Sequence, residues 1–139
     1  MSVKGDRADQ HLAEALTFAL ANAPCVVACK TSAALVLAER TIRAQGHSVR
    51  MVRMQNWREV ELEAINAFEG GLVDYLVIST DLLYGRPRQF RRVGCRMVCS
   101  TSIVASRATA FRLLLGDGPV EPSRVLTFPY TKGRVNALT

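Results

Sequence analysis

Between residues 82 and 116 the chain carries seven arginines and no lysine, aspartate or glutamate. Their densest group is Arg86, Arg88, Arg91, Arg92 and Arg96. A guanidinium presents a planar fork of donors that matches phosphate oxygens, so this group is suited to holding a polyanion. Residues 1–81 hold eight basic and ten acidic side chains, a sum of −2, and residues 117–139 hold three and two, a sum of +1. The net charge of +6 therefore comes wholly from the middle stretch. Such a footprint marks a nucleic-acid or other anionic-partner surface; the competing explanation is a solvated loop that keeps the protein soluble.

The other chemistry-bearing residue types give weaker patterns. Four cysteines fall into two C-x3-C pairs, Cys25/Cys29 and Cys95/Cys99. On a strand, residues four apart are separated by ~13 Å at about 3.3 Å per residue. Two such thiolates cannot share one tetrahedral zinc ion with Zn–S bonds of ~2.3 Å. Cys25, Cys29 and Cys99 thus read as small buried apolar residues, and no metal is expected. His11 and His47 have no G-x-S-x-G or comparable nucleophile context and read as surface histidines. Neither a G-x-x-x-x-G-K-[ST] loop nor a G-x-G-x-x-G turn is present, so the parts that usually hold a triphosphate or a dinucleotide are missing. Glu59, Glu61 and Glu63 read as a solvated helix face.

These residues must be positioned by local structure, and its pattern alternates helix with strand. Residues 9–21 repeat apolar groups at three-and-four spacing through Leu12, Ala15, Leu16, Ala19 and Leu20, which predicts an amphipathic helix ending before Pro24. Cys25–Cys29 is a continuous apolar run, as in a strand covered on both faces. Thr31 or Ser32 caps the next helix, whose buried stripe is Leu35, Ala38 and Ile42 and whose stop is Gly46. A strand is expected over 48–54. A helix is expected over 56–69, capped by Asn56 with Glu59 and turning Leu62, Ile65 and Phe68 inward. Tyr75–Ser79 is the clearest strand. Strands at 96–100 and 124–128 and a helix at 104–115 follow. The expectation is one α/β domain over residues 1–139, a three-layer sandwich with a mainly parallel sheet of five or six strands, a core over 9–130 and a flexible tail over 131–139.

The length of 139 residues and the 49% hydrophobic content fit a single packed domain. The longest apolar runs fall short of the ~18 residues that span a bilayer, so no membrane partner is expected. The polar start MSVKGDRADQ resembles neither a secretory signal nor a transit peptide, which with the free cysteines predicts an intracellular protein.

The order of segments from Cys25 to Gly116 resembles the C-terminal RecA-like lobe of superfamily 2 helicases, closest to the DEAD-box type. Val26-Val27-Ala28-Cys29-Lys30-Thr31 matches the lobe's first buried strand, which ends in a threonine. Gln55-Asn56-Trp57-Arg58 matches a Q-x-x-R element, Phe68-Glu69-Gly70-Gly71 an F-x-x-G ending, and Leu76-Val77-Ile78-Ser79-Thr80-Asp81 the strand that delivers a Thr-Asp pair. The departures are as informative. Where the family has T-D-x-x-x-R-G this chain has Thr80-Asp81-Leu82-Leu83-Tyr84-Gly85-Arg86, with Gly and Arg exchanged. Where the family has H-R-x-G-R-x-x-R with its arginine fingers, only Arg112 matches. Arginine fingers contribute ~10³–10⁵ in rate, so their loss, together with the missing phosphate loop and Asp-Glu pair, implies no hydrolysis by this chain alone.

The resemblance implies a degenerate lobe that binds RNA through strand-end residues Lys30, Thr31, Gln55, Arg58, Thr80 and Asp81, extended by Arg86, Arg88, Arg91 and Arg92. Helix capping by Thr31 and Thr80, and an exposed helix start at Gln55 and Arg58, are the plainer explanations of the same residues. The resulting expectation is a non-catalytic RNA-binding or ribonucleoprotein-assembly module with RNA and protein subunits as partners and no cofactor. One alternative is a lobe that completes an ATP-dependent RNA helicase with a separate N-terminal lobe, in which case Arg112 meets the nucleotide. A protein-only scaffold is the other.

Overall fold

A computed structural model describes residues 9, 11–85, 90–100 and 125–127. The elements run α1 (Leu12–Ala21), β1 (Cys25–Cys29), α2 (Ser32–Ala44), β2 (Val49–Val52), α3 (Trp57–Glu69), β3 (Tyr75–Ser79), α4 (Thr80–Gly85), β4 (Arg96–Cys99) and β5 (Val125–Thr127). The strands lie in the order β2-β3-β1-β4-β5, and every pairing is parallel. Register is set by Cys25 opposite both Tyr75 and Arg96, and by Val49 opposite Tyr75. Parallel pairing forces each connection to run back from the carboxyl end of one strand to the amino end of the next. All loops therefore gather at two opposite poles.

The central strands are covered on both sides, which is why β1 and β3 are buried at every position. On one face, Leu12, Ala15 and Leu16 of α1 and Leu35, Ala38 and Ile42 of α2 pack on Cys25, Val27, Val49, Tyr75, Val77 and Val98. On the other, Ala64, Ile65 and Phe68 of α3 and Leu82 and Leu83 of α4 pack on Val26, Ala28, Leu76, Ile78 and Met97. Alternate residues of one strand thus feed two separate cores. Tyr75 is fully buried and its hydroxyl donates to Ala19 O at 2.9 Å, which ties α1 to the sheet. Gly46, at φ +85°, ends α2 in a conformation that other residues rarely adopt.

Three sequence expectations are corrected. Leu62 is turned outward, 67% exposed, and Glu61 is buried in its place. The inward face of α3 is set by Glu61, Ala64, Ile65, Ala67 and Phe68, and Leu62 lies just beyond its edge, next to Ile65 on the helical wheel. Asn56 does not cap α3 through its side chain. Its Oδ1 instead accepts from Arg53 N at 2.9 Å, closing the turn after β2. The basic stretch expected to follow Thr80-Asp81 as a loop begins within helix α4. The helix expected at 104–115 and the tail at 131–139 lie outside the described residues.

Candidate functional site

The carboxyl ends of the strands bring together most of the residues singled out from sequence. β1 runs into α2 through Lys30 and Thr31, and β3 runs into α4 through Thr80 and Asp81. Because Cys29 is in register with Ser79, the two turns lie side by side. Helix α2 leaves over one face of the sheet and α4 over the other. The β1/β3 edge is thus a point where neighbouring connections diverge, the usual place for ligand crevices in open parallel sheets. Lys30 Nζ reaches Asp81 Oδ1 at 3.3 Å across it, with both side chains about half exposed, at 50% and 46%. Thr80 is buried, and Asp81 N donates to Ser79 Oγ at 3.2 Å. Thr31 caps α2, its Oγ1 accepting from Ala34 N at 3.2 Å.

At the same pole Asp9 was not foreseen as more than a helix-start residue. Its carboxylate accepts from Lys30 N and Thr31 N, each at 2.9 Å, from Thr31 Oγ1 at 2.6 Å and from Ser100 Oγ. Ser100 follows β4 and is fully buried. The two backbone amides just beyond β1 are therefore already held by a carboxylate of this chain.

The β2 side of the pole carries the Q-x-x-R residues and one more cation. Gln55 is exposed in the turn before α3, and Arg58 lies with its guanidinium carbon 5.2 Å from the centre of the Trp57 ring. That is cation–π stacking at an exposed site. Arg53 bonds Ser32 Oγ at 3.5 Å with one terminal nitrogen, while its buried Nε has no partner. Among the described residues Arg53 has no carboxylate partner, unlike Arg43, Arg50 and Arg92. The strand expected over 48–54 includes Arg53, whereas β2 ends at Val52 and leaves Arg53 in the turn.

Arg91 and Arg92 do not join this group. By residue 92 the β3–β4 connection has returned to the amino ends of the strands, as parallel pairing requires. The five residues of β1 separate the two poles by about 16 Å at ~3.3 Å each. Arg92 donates to Asp74 Oδ1 at 2.7 Å, to Phe68 O at 3.1 Å and to Val73 O, and lies 5.1 Å from the Phe68 ring centre. Its side chain is 17% exposed and serves packing. Arg91 is held through its backbone N–H, which donates to Glu69 Oε2 at 2.8 Å, and its side chain is exposed. Of these two described arginines, Arg92 is thus turned into the fold while the Arg91 side chain is exposed. Arg86, Arg88 and Arg112 lie outside the described residues.

All four cysteines are buried as free thiols. Burial pushes the thiols of Cys25, Cys29 and Cys99 up, Cys29 to about 12, which keeps them protonated and poorly reactive at neutral pH. Among the described residues no group of three metal-ligating side chains comes together. None of the described helices is long and apolar enough to cross a membrane. His11 Nδ1 lies 3.5 Å from Glu14 Oε1, and His47 meets the Tyr75 ring edge-on at 5.3 Å.

This α/β architecture, with its parallel sheet between helical layers, is shared with the C-terminal domains of DEAD-box helicases. The C-terminal domain of the DEAD-box protein Dbp5 superposes with a TM-score of 0.62 at 12% identity, covering 91% of this chain and 75% of that one. A Saccharomyces cerevisiae Dbp5 C-terminal domain bound to Gle1 and IP6 gives 0.59 at 13% identity, covering 95% and 76%. The Pyrococcus furiosus Hef helicase domain gives 0.52 at 16% identity, covering 98% of this chain and 27% of that one. No protein-family model matches the sequence, and no curated protein matches it.

Proposed function

We propose that this chain is a helicase-lobe-shaped module that binds the sugar–phosphate backbone of RNA across the carboxyl ends of its parallel sheet, within a ribonucleoprotein, without hydrolysing nucleotide. One observation carries the reading. Three strand-to-helix turns place Lys30, Thr31, Arg53, Thr80 and Asp81 together at the edge where α2 and α4 diverge. Lys30, Arg53 and Arg58 supply the charge, and Gln55 supplies a neutral hydrogen-bonding group, while Thr31 is held by Asp9 and shapes the turn. Such groups grip phosphate and sugar and carry little sequence information. The fold likeness to helicase C-terminal domains supports the same face. The absence from the sequence of a phosphate loop supports the non-hydrolytic half of the reading.

The test is the salt dependence of binding to a single-stranded RNA oligonucleotide. Contact with Z phosphates gives a log–log slope of about −0.7Z. Lys30→Ala with Arg53→Ala is expected to weaken binding and to flatten the slope by about two phosphates. Equal affinity and slope in the variant and the parent would overturn the reading.

A further inference from the structure

Helix α1 carries one charged side chain in ten residues, Glu14, whereas α2 carries Glu39, Arg40 and Arg43 and α3 carries five. Its inward side is Leu12, Ala15, Leu16 and Ala19. Its outward side is Ala13, Thr17 and Ala21, exposed beside Glu14. The Thr17 hydroxyl is already spent on Ala13 O at 2.9 Å. A helix that is apolar nearly all round is ordinarily covered all round. Both α1 and α2 run from the carboxyl pole of the sheet to the amino pole. Between them lies a groove of about 310 Å³, walled by Leu16, Thr17 and Leu20 of α1 and by Leu37 and Thr41 of α2. No charged side chain lines it, and Leu37 is 55% exposed there.

We infer that this groove is the docking site for a short amphipathic helix of a protein partner, which lays apolar side chains between α1 and α2 and sets a carboxylate against Arg40. Arg40 lies one turn beyond Leu37 and directly before Thr41, at the end of the groove nearer the amino pole. It is exposed and makes no ion pair among the described residues, Glu39 being taken by Arg43 at 2.7 Å. An apolar floor with one free cation at its end is complementary to an apolar helix face flanked by acid. From Leu12 to Leu20 the groove is about 12 Å long, two helical turns, which places the occupant's anchors at i, i+3 or i+4, and i+7. A second copy of the chain is the poorer fit. The outer face of α1 is about 15 Å by 10 Å, on the order of 150 Å², against the ~800 Å² per partner that a stable interface buries. The groove lies over a face of the sheet, away from the strand ends, and its occupancy does not depend on RNA binding.

A phage-displayed library of random twelve-residue peptides tests this, selected on the folded parent and counter-selected on Leu37→Glu. Leu37 is more than half exposed, so the urea midpoint of Leu37→Glu is expected to match the parent's. The enriched peptides are expected to share apolar residues at i, i+3 or i+4, and i+7, with Asp or Glu beside them. An enriched peptide, read by fluorescence anisotropy, is expected to lose about tenfold in affinity on Leu37→Glu. Arg40→Glu is expected to weaken it about fivefold, and exchanging the peptide's acidic residue for lysine is expected to recover that loss.

No enrichment on the parent over the counter-selected protein would overturn the inference. So would enriched peptides that lack an acidic residue or are indifferent to Arg40→Glu. Self-association of the parent in sedimentation, abolished by Leu37→Glu, would give the groove to a second copy and overturn it likewise. If Leu37→Glu proves unstable, Thr17→Arg, exposed on the α1 wall, replaces it in the counter-selection with the same expected outcomes.

Discussion

Lys30 and Asp81 face one another at 3.3 Å across the junction of β1 and β3, and each is about half open to water. The pair couples the first strand-to-helix turn to the one that delivers Thr80. Exposed pairs of this kind contribute little to stability, about 0–1 kcal/mol. The larger consequence is electrostatic: a carboxylate stands beside the ammonium offered to phosphate. Asp81→Asn is therefore expected to tighten RNA binding about two- to fivefold while moving the urea midpoint little, as read by fluorescence anisotropy and chemical unfolding. Weaker binding would show that Asp81 itself accepts from the RNA.

Arg92 is the opposite case. Its guanidinium joins Asp74, Phe68 O and Val73 O beneath a largely closed surface. Removing it strands two carbonyls and unstacks the Phe68 ring. Arg92→Ala is expected to destabilise the fold by about 2 kcal/mol, discounted for the half-exposed Asp74. At temperatures where the variant remains folded, its RNA affinity is expected to match the parent's. A loss of affinity without a loss of stability would return Arg92 to the interface.

Alkaline pH is expected to weaken the fold. The Cys29 thiol is pushed from 9.0 to about 12, mainly by burial. The buried Tyr75 hydroxyl moves from 10.0 to about 12 for the same reason. Both folded-state values are raised, so in the window from pH 9 to 12 the folded chain holds protons that the unfolded chain releases. Stability is then fully present below the unfolded values and is lost as pH rises through that window. Cys25 and Cys99 shift in the same direction. The urea midpoint is expected to stay level from about pH 7 to pH 8 and to fall steadily above pH 9. A midpoint unchanged at pH 11 would contradict the burial of these groups.

No ATP turnover is expected from the purified chain, measured as phosphate release with and without RNA. Turnover that Arg112→Ala abolishes would assign that residue a finger's role and show that the missing phosphate loop is supplied by other means.

The strands at Cys25–Cys29 and Tyr75–Ser79 were legible because continuous apolar runs bounded by polar turns leave few alternatives. Thr31 as a cap and Gly46 as a stop were legible from local chemistry alone. Leu62 and Glu61 were misassigned because three glutamates at alternate positions blurred the helical stripe, and only the neighbouring strands decide which side faces in. The fates of Arg91 and Arg92 were illegible from spacing. They are decided by how much chain the β3–β4 crossover uses before β4 begins, a property of topology and not of composition. Asp9 was hidden for a related reason: its partners lie 21, 22 and 91 residues away.

The central claim is that RNA lies across one pole of the sheet and not the other. Amide chemical-shift mapping of the folded protein, titrated with a single-stranded RNA oligonucleotide, tests it directly. The account predicts shifts at Lys30, Thr31, Arg53, Gln55, Arg58, Thr80 and Asp81, with Asp74, Arg91 and Arg92 left in place. Shifts gathered around Asp74 and Arg92, or none at any residue when RNA is in excess, would contradict it.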